Sequence, residues 1–351
     1  MAMKSNIEIS QLVRDNIREL VPYSSARDEF SGSASVFLDA NENPHNHPLN
    51  RYPDPRQMEL KTEIAGMRGQ HEENLFLGNG SDEGIDLLFR VLCEPGKDNV
   101  ITVDPTYGMY AVCAKINDVE RKSVLLSHDF TLDAAAVLEA VDRNTKMIFL
   151  CSPNNPTANS LEKAAILKII DNVNCMVVVD EAYIDFSSSK GVLSLLPEKH
   201  NLVVLQTLSK AWGLAGIRLG MLFAHSDLVR FISGVKYPYN INALSLKEAL
   251  AALREPERAE QWVATILEER ELMASRLDSM DIILEVKPSD ANFLLVRVED
   301  PGALYTFLMK RGIIVRDRSS VPLCEGCLRI TVGSREENRS LIDTLRTYKT
   351  S

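Results

Sequence analysis

Lys210 follows an apolar run and a hydroxyl-rich turn, Thr207-Leu208-Ser209, and Arg218 stands on the Gly-punctuated segment after it. Upstream, the run Met176-Val177-Val178-Val179 ends in Asp180-Glu181-Ala182-Tyr183. A lysine amine condenses with an aldehyde to a Schiff base. A carboxylate keeps a pyridine nitrogen protonated, so that the ring draws electrons. A phenol holds a ring hydroxyl, and an arginine forks onto a phosphate. Together these are the groups that pyridoxal 5'-phosphate needs. Singly, each has a plainer explanation: a lysine beside serine is most often a solvated surface residue, and an aspartate after a valine-rich strand most often caps a loop. Their order and co-occurrence carry the reading.

Other segments could converge on the same ligand. Gly80-Ser81-Asp82 opens an amphipathic helix over Glu83 to Cys93, whose amides and dipole favour a phosphate, with Ser81 or Asp82 as the N-cap. Tyr107, after a strand, could stack on an aromatic ring, although a core tyrosine is an equal alternative. Asn155, in Asn-Asn-Pro, could donate its amide to a ring hydroxyl, or simply belong to a Pro-terminated turn. Ser209 adds a hydroxyl for phosphate, and Thr207 is a weaker candidate.

The elements that must position these groups alternate. Short apolar strands are expected at Asn74 to Leu77, Asn99 to Val103, Lys146 to Cys151, Cys175 to Val179, Leu202 to Gln206 and Leu219 to Ala224. Helices are expected at Glu59 to Met67, Glu83 to Cys93 and Leu161 to Ile170. Apolar runs without polar alternation indicate a sheet covered on both faces, and alternation with helices a mainly parallel α/β sheet. The candidate clusters follow the carboxyl ends of strands, where open α/β sheets bind ligands.

The remainder divides differently. Residues 1–44 read as an arm containing a short helix from Asn6 to Leu20, broken at Pro22-Tyr23-Ser24-Ser25-Ala26-Arg27. Residues 45–240 form the large domain. Residues 241–351 form a smaller α+β domain: a long helical stretch from Leu244 to Met280, strands at Ile282 to Val286, Ala291 to Val298, Ile313 to Arg316 and Cys324 to Val332, and helices at Gly302 to Arg311 and from Arg335.

Composition narrows the function class. The chain has 351 residues, 45% hydrophobic and 25% charged, in the usual soluble globular range. Lys and Arg number 39 against 49 Asp and Glu, a formal charge of −10, which argues against a nucleic-acid surface. An anionic substrate must therefore be drawn by local arginines. No apolar run reaches the ~18 residues of a membrane span, and no basic segment leads into an apolar core at the N-terminus, so no signal peptide is expected. The six cysteines are scattered as in a reducing cytoplasm. Cys324-Glu325-Gly326-Cys327 lacks the second ligand pair of a zinc site, and His45-Asn46-His47 reads as a surface loop, so no metal is expected. No nucleotide-binding glycine motif follows a strand.

The segments Gly80-Ser81-Asp82-Glu83, Pro105-Thr106-Tyr107, Ser152-Pro153-Asn154-Asn155-Pro156-Thr157, Asp180-Glu181-Ala182-Tyr183, Ser209-Lys210-Ala211 and Gly216-Ile217-Arg218-Leu219-Gly220 resemble fold-type I pyridoxal-phosphate aminotransferases. Leu38 to Pro44, Arg51-Tyr52-Pro53, Cys93-Glu94-Pro95-Gly96, Thr106-Tyr107-Gly108-Met109-Tyr110 and Gly326 to Gly333 narrow the resemblance to the histidinol-phosphate aminotransferase family. That resemblance implies transamination between L-glutamate and imidazole-acetol phosphate in histidine biosynthesis. It also implies a homodimer in which Tyr52 reaches the partner subunit's cofactor phosphate, with Tyr23, Arg316 and Arg329 handling the anionic ends of the substrates. An aromatic amino acid aminotransferase or a threonine-phosphate decarboxylase on the same scaffold would share the cofactor residues. A non-catalytic sensor fused to a DNA-binding module would need an extra basic domain. One departure concerns the loop after Asn155: the family has glycine where Ala158 stands, a strain of about 1 kcal/mol if that position needs a positive φ.

Overall fold

The computed structural model describes residues 8–25, 27, 32 and 34–348. Its helices are α1 (Asp15–Arg18), α2 (Met58–Arg68), α3 (Gly80–Leu92), α4 (Met109–Ile116), α5 (Ala134–Ala140), α6 (Lys163–Ile170), α7 (Ser226–Val235), α8 (Ala243–Leu253), α9 (Pro256–Asp278), α10 (Pro301–Met309) and α11 (Arg335–Leu345). Its strands are β1 (Leu75–Asn79), β2 (Asn99–Asp104), β3 (Glu120–Leu125), β4 (Thr145–Cys151), β5 (Met176–Asp180), β6 (Leu202–Thr207), β7 (Leu219–Phe223), β8 (Ile283–Val286), β9 (Phe293–Val298), β10 (Arg316–Asp317) and β11 (Cys327–Thr331).

A seven-stranded sheet in the order β1-β7-β6-β5-β4-β2-β3 forms the centre. All its strands run the same way except β7, which is antiparallel to both neighbours. β5 and β6 are buried along their whole length, which explains their unbroken apolar runs. One apolar core lies on each face of this sheet. Phe149 of β4 stacks between Phe89 of α3 (5.6 Å) and Tyr110 of α4 (4.7 Å). Truncating it to alanine would cost about 3–5 kcal/mol and would loosen the support under Tyr110. This is the α/β architecture of fold-type I.

A second, antiparallel sheet runs β10-β11-β9-β8 and packs with α9, α10 and α11 around a third core. The single long helix expected from Leu244 to Met280 is two helices, because Pro256 cannot continue the ladder and instead starts α9. α9 bridges the cores: Ala259 belongs to the first, Met273 and Leu277 to the third. The strand expected at Ile313 to Arg316 is shifted to Arg316–Asp317.

The helix expected from Asn6 to Leu20 is also absent in that form. Asn6 and Ile7 lie outside the described residues, as does Ala26. From Ile9 the chain makes a 3-10 turn, runs extended at Arg14, then makes the single turn of α1. Tertiary contact overrides helix propensity here: Ile9 and Val13 bury against α3 and α7, and the Arg14 amide donates to the Val91 carbonyl (3.0 Å). β3 carries Glu120, Arg121 and Lys122 at the sheet edge, where charge deters edge pairing. Among the described residues no helix is long and apolar enough to cross a membrane.

Candidate active site

The carboxyl ends of β1, β2, β4, β5 and β6 meet at one edge of the large sheet, and there a single cavity is lined by Ser81, Asp82, Tyr107, Asn155, Asp180, Tyr183, Thr207, Ser209, Lys210 and Arg218. The parallel register brings Cys151 opposite Asp180, so the loops after β4 and β5 enter the cavity side by side.

Asp180 ends β5 and is 3% exposed. Its Oδ2 accepts from the Tyr110 hydroxyl (2.7 Å) and its Oδ1 from the Ala182 amide (3.0 Å). Burial pushes its carboxyl above the usual range; those two donors and the Lys210 ammonium oppose this. A cationic ring N–H would offset that burial. Lys210 follows β6 and is half-buried, its Nζ 5.5 Å from the Tyr183 ring centroid. Nζ makes no hydrogen bond or ion pair with the described residues. Burial holds its amine below the ordinary lysine range, and the Arg329 and Arg218 charges push the same way. Tyr183 is buried, its phenol raised first by that burial.

Asn155 is also buried. Its Oδ1 accepts from Arg329 Nη1 (2.5 Å), which leaves Nδ2 free to donate to a ligand. Tyr107 donates from its hydroxyl to Asp82 Oδ1 (3.0 Å), and burial followed by the Asp82 carboxylate raises its phenol.

The phosphate end is built on a close approach. The Gly80 amide donates to the Arg218 carbonyl (2.8 Å) as α3 begins. A Cβ on Gly220 would lie 2.1 Å from the Gly80 carbonyl carbon and the Ser81 nitrogen, so only glycine lets β7 carry Arg218 against that helix start. Thr207 donates its hydroxyl to the Leu219 carbonyl (3.1 Å) and accepts from the Ser209 amide (3.1 Å). Arg218 Nη1 lies 3.5 Å from Ser209 Oγ, and Nη2 lies 3.5 Å from Asp82. The N-cap of α3 is Asn79, not Ser81 or Asp82: Glu83 turns back to accept from the Asn79 amide (2.5 Å), which moves both residues into the first turn. That leaves the Ser81 hydroxyl in the cavity instead of in a cap.

A half-buried lysine amine, a buried carboxylate, an amide donor and an arginine beside a helix start make a donor set that fits pyridoxal phosphate. Ala158 has φ +68, so the position where a glycine was expected does require the left-handed region, at about 1 kcal/mol for alanine. The loop is nevertheless closed, by Ala158 amide to Asn154 carbonyl and Asp290 amide to Ala158 carbonyl, both 2.8 Å.

The remaining candidates stand elsewhere. Arg316 is exposed and pairs in register with Arg329, beyond the cavity lining. Tyr52 is half-exposed and stacks on Tyr239 at 4.4 Å. Tyr23 is 76% exposed and lines a different cavity with Lys61 and Lys236. Within one chain neither tyrosine reaches the cavity. Sequence reasoning missed Tyr110 as the partner of Asp180, although its i, i+3 spacing from Tyr107 was a usable signal. Cys324 and Cys327 are buried thiols raised by that burial. Among the described residues no group of three His, Cys, Asp or Glu side chains could hold a metal.

The sequence pattern of the aminotransferase class I and II family matches residues 29–345. A Parabacteroides distasonis protein named histidinol-phosphate aminotransferase is 53% identical over 97% of this chain and 99% of its own length. The chain belongs to the histidinol-phosphate aminotransferase family, within the class I and II aminotransferases. It is therefore a transaminase acting on small molecules. The solved histidinol-phosphate aminotransferase from Clostridium acetobutylicum superposes with TM-score 0.79 over 85% of this chain and 90% of that one, at 22% identity. The Sinorhizobium meliloti enzyme of that name, solved in complex with pyridoxal-5'-phosphate, gives TM-score 0.75 over 85% and 83%, also at 22% identity. At that identity these two structures speak for the fold.

Proposed function

We propose that the protein transfers the amino group of L-glutamate to imidazole-acetol phosphate, giving L-histidinol phosphate and 2-oxoglutarate in histidine biosynthesis, with pyridoxal 5'-phosphate bound in the cavity. Identity of 53% along almost the whole chain supports the substrate. The carrying observation for the chemistry is the pairing, in one cavity, of an amine (Lys210) and a buried carboxylate (Asp180) that have, among the described residues, no hydrogen-bonded partner and no cationic contact respectively.

Ser81, Thr207, Ser209 and Arg218 would hold the phosphate, Asn155 Nδ2 and the Tyr183 hydroxyl the ring oxygen, Tyr107 a ring face and Asp180 the ring nitrogen. When bound, the group supplies an aldehyde that condenses with amines and a protonated ring that draws electrons from the adjoining carbon. Lys210 Nζ takes the proton from the substrate α-carbon. Its depressed basicity keeps part of it neutral nearer physiological pH than an ordinary lysine. Asp180 stays ionised once a cationic N–H faces it, and Tyr110 and the Ala182 amide hold both its oxygens in place. Arg329, anchored on Asn155, presents its remaining N–H groups to the anionic end of each substrate in turn, with Arg316 beside it.

The same reading divides the chain into an arm (1–44), a large domain (45–240) and a small domain (241–351), acting as a cytoplasmic homodimer. In it the exposed Tyr52 serves a neighbouring subunit's cofactor phosphate, and Tyr23 meets an anionic end of the substrates. Steady-state assays with L-glutamate against imidazole-acetol phosphate, phenylpyruvate and other keto acids test the reading. Imidazole-acetol phosphate should be preferred by at least tenfold in kcat/KM. Preference for an aromatic keto acid, or carbon dioxide released from O-phosphothreonine, would overturn it.

A further inference from the structure

The strand pairing that carries Arg316 and Arg329 also places a third arginine. Arg316 of β10 lies opposite Arg329 of β11, so both side chains leave the same face. The Arg318 amide donates to the Cys327 carbonyl (2.9 Å), which extends the ladder by one step. Side chains alternate along a strand, so Arg318 returns to the Arg316 face and Asp317 points to the other. Asp317 Oδ1 is occupied there by the Ser319 amide (2.8 Å) and hydroxyl (2.5 Å). Arg318 is half-buried, and its Nε is buried without a hydrogen-bond partner among the described residues.

None of the three guanidiniums has a carboxylate within ion-pair distance among the described residues. Arg329 uses one N–H on Asn155 and lies 5.3 Å from the Phe293 ring centroid. Burial, and then Arg329 and Arg316, hold the Arg318 guanidinium below its ordinary range, and the Cys324 thiol and the Tyr183 phenol oppose them. Like charges brought together and left without a counter-ion are destabilising unless an anion joins them. One fork satisfies a carboxylate. A phosphate monoester carries about −1.5 to −2 charge and three acceptor oxygens.

We propose that Arg318 is a specificity-determining residue that binds the phosphate end of the phosphorylated substrate and contributes little to glutamate. This rests on the transamination reading above. It makes Arg316 and Arg329 the fork common to both substrates and Arg318 the group that recognises the extra charge and the third oxygen.

The test uses the cofactor-loaded enzyme and its Arg318→Gln and Arg318→Lys variants. Loss of a charge-assisted contact should lower kcat/KM for L-histidinol phosphate about ten- to a hundredfold in Arg318→Gln, mostly through KM. The value for L-glutamate should stay within about threefold. Arg318→Lys keeps the charge and should recover part of the loss. As a separate probe, methyl phosphate should compete with L-glutamate, and its inhibition constant should weaken about tenfold or more in Arg318→Gln. Equal losses for glutamate and the phosphates, no loss for either, or a wild-type enzyme indifferent to methyl phosphate would each overturn the proposal. A wild-type enzyme inhibited by methyl phosphate in an Arg318-dependent way but inert toward L-histidinol phosphate would sink the substrate assignment and support the anion role.

Discussion

The Tyr110 hydroxyl donates to Asp180 Oδ2 at 2.7 Å from the interior side of the sheet. Tyr110 is fully buried and stacked on Phe149, so the donor cannot swing away. The carboxylate that would face the cofactor ring is thereby fixed in direction by the core itself. Tyr110→Phe keeps the ring stack and removes only this bond. The loss of a hydrogen bond to a charged group, about 1.5–3 kcal/mol, should lower kcat roughly ten- to a hundredfold. Steady-state kinetics with an unchanged circular dichroism spectrum checks this, and an unaltered kcat would release Tyr110 from the site.

Lys210→Ala should abolish turnover. The pH profile carries a finer expectation. After burial, the Arg329 charge is the largest influence holding the Lys210 amine down. A neighbouring cation disfavours the ammonium form, so Arg329→Met should raise the lysine pKa. The basic form would then appear only at higher pH, and the rising limb of the pH–rate profile of the glutamate half-reaction should move upward. A limb that stays in place or moves down would contradict the coupling.

Gly220→Ala would drive a Cβ into the Gly80 and Ser81 backbone. That backbone is the start of α3 and cannot yield as a side-chain tip would. We expect the helix start to shift and the affinity for pyridoxal phosphate to fall at least about tenfold, since a displacement near 1 Å can cost about a hundredfold in a positioned site. Equilibrium dialysis of the cofactor measures it, and wild-type affinity would show that the close approach is not what shapes the phosphate end.

Glu181, next to Asp180 but on the other side of β5, is buried and its carboxyl is pushed up to about 7 by that burial. Its Oε1 accepts from the Val192 amide (2.6 Å) and Oε2 from Gln206 Nε2 (2.9 Å), while Gln206 Oε1 has no partner among the described residues. The folded state holds this proton where the unfolded chain, near the ordinary value of 4.5, has lost it. Stability from this group is thus full below pH 4.5 and falls as pH rises to about 7, by roughly 3 kcal/mol. Glu181→Gln should remove that slope and be the more stable protein above pH 7, since its amide oxygen can keep accepting from Val192 and, with the Gln206 amide turned over, its NH2 can donate to Gln206 Oε1. Parallel melting profiles from pH 4.5 to 8 for the two proteins would contradict it.

Much of this was legible in the sequence because the chemistry sits at strand ends and the strands are apolar throughout. Asp180, Tyr183, Thr207, Ser209 and Lys210 each follow a run such as Met176-Val177-Val178-Val179, so finding the strand finds the residue. Ala158 was legible for a different reason: an expected glycine signals a backbone need, and φ +68 meets it. β3 was not legible, because its burial alternates at a charged sheet edge and it offers no apolar run. The arm misled because Val13 and Arg14 are shaped by α3, a partner far along the chain. Tyr110 was present in a quoted run and Arg318 lay between two of them, but the importance of both depends on what lies across a strand or under a helix. Tyr52 and Tyr23 stay on the exposed face of a single chain, so their roles cannot be read within it.

The most direct test of the central claim is an anaerobic single-turnover titration of the cofactor-loaded protein with L-histidinol phosphate, following the cofactor absorbance and assaying products. The account predicts stoichiometric conversion to pyridoxamine phosphate, release of imidazole-acetol phosphate, no carbon dioxide, and no conversion in Lys210→Ala. No reaction with L-histidinol phosphate, together with turnover of phenylalanine or loss of carbon dioxide from O-phosphothreonine, would contradict it.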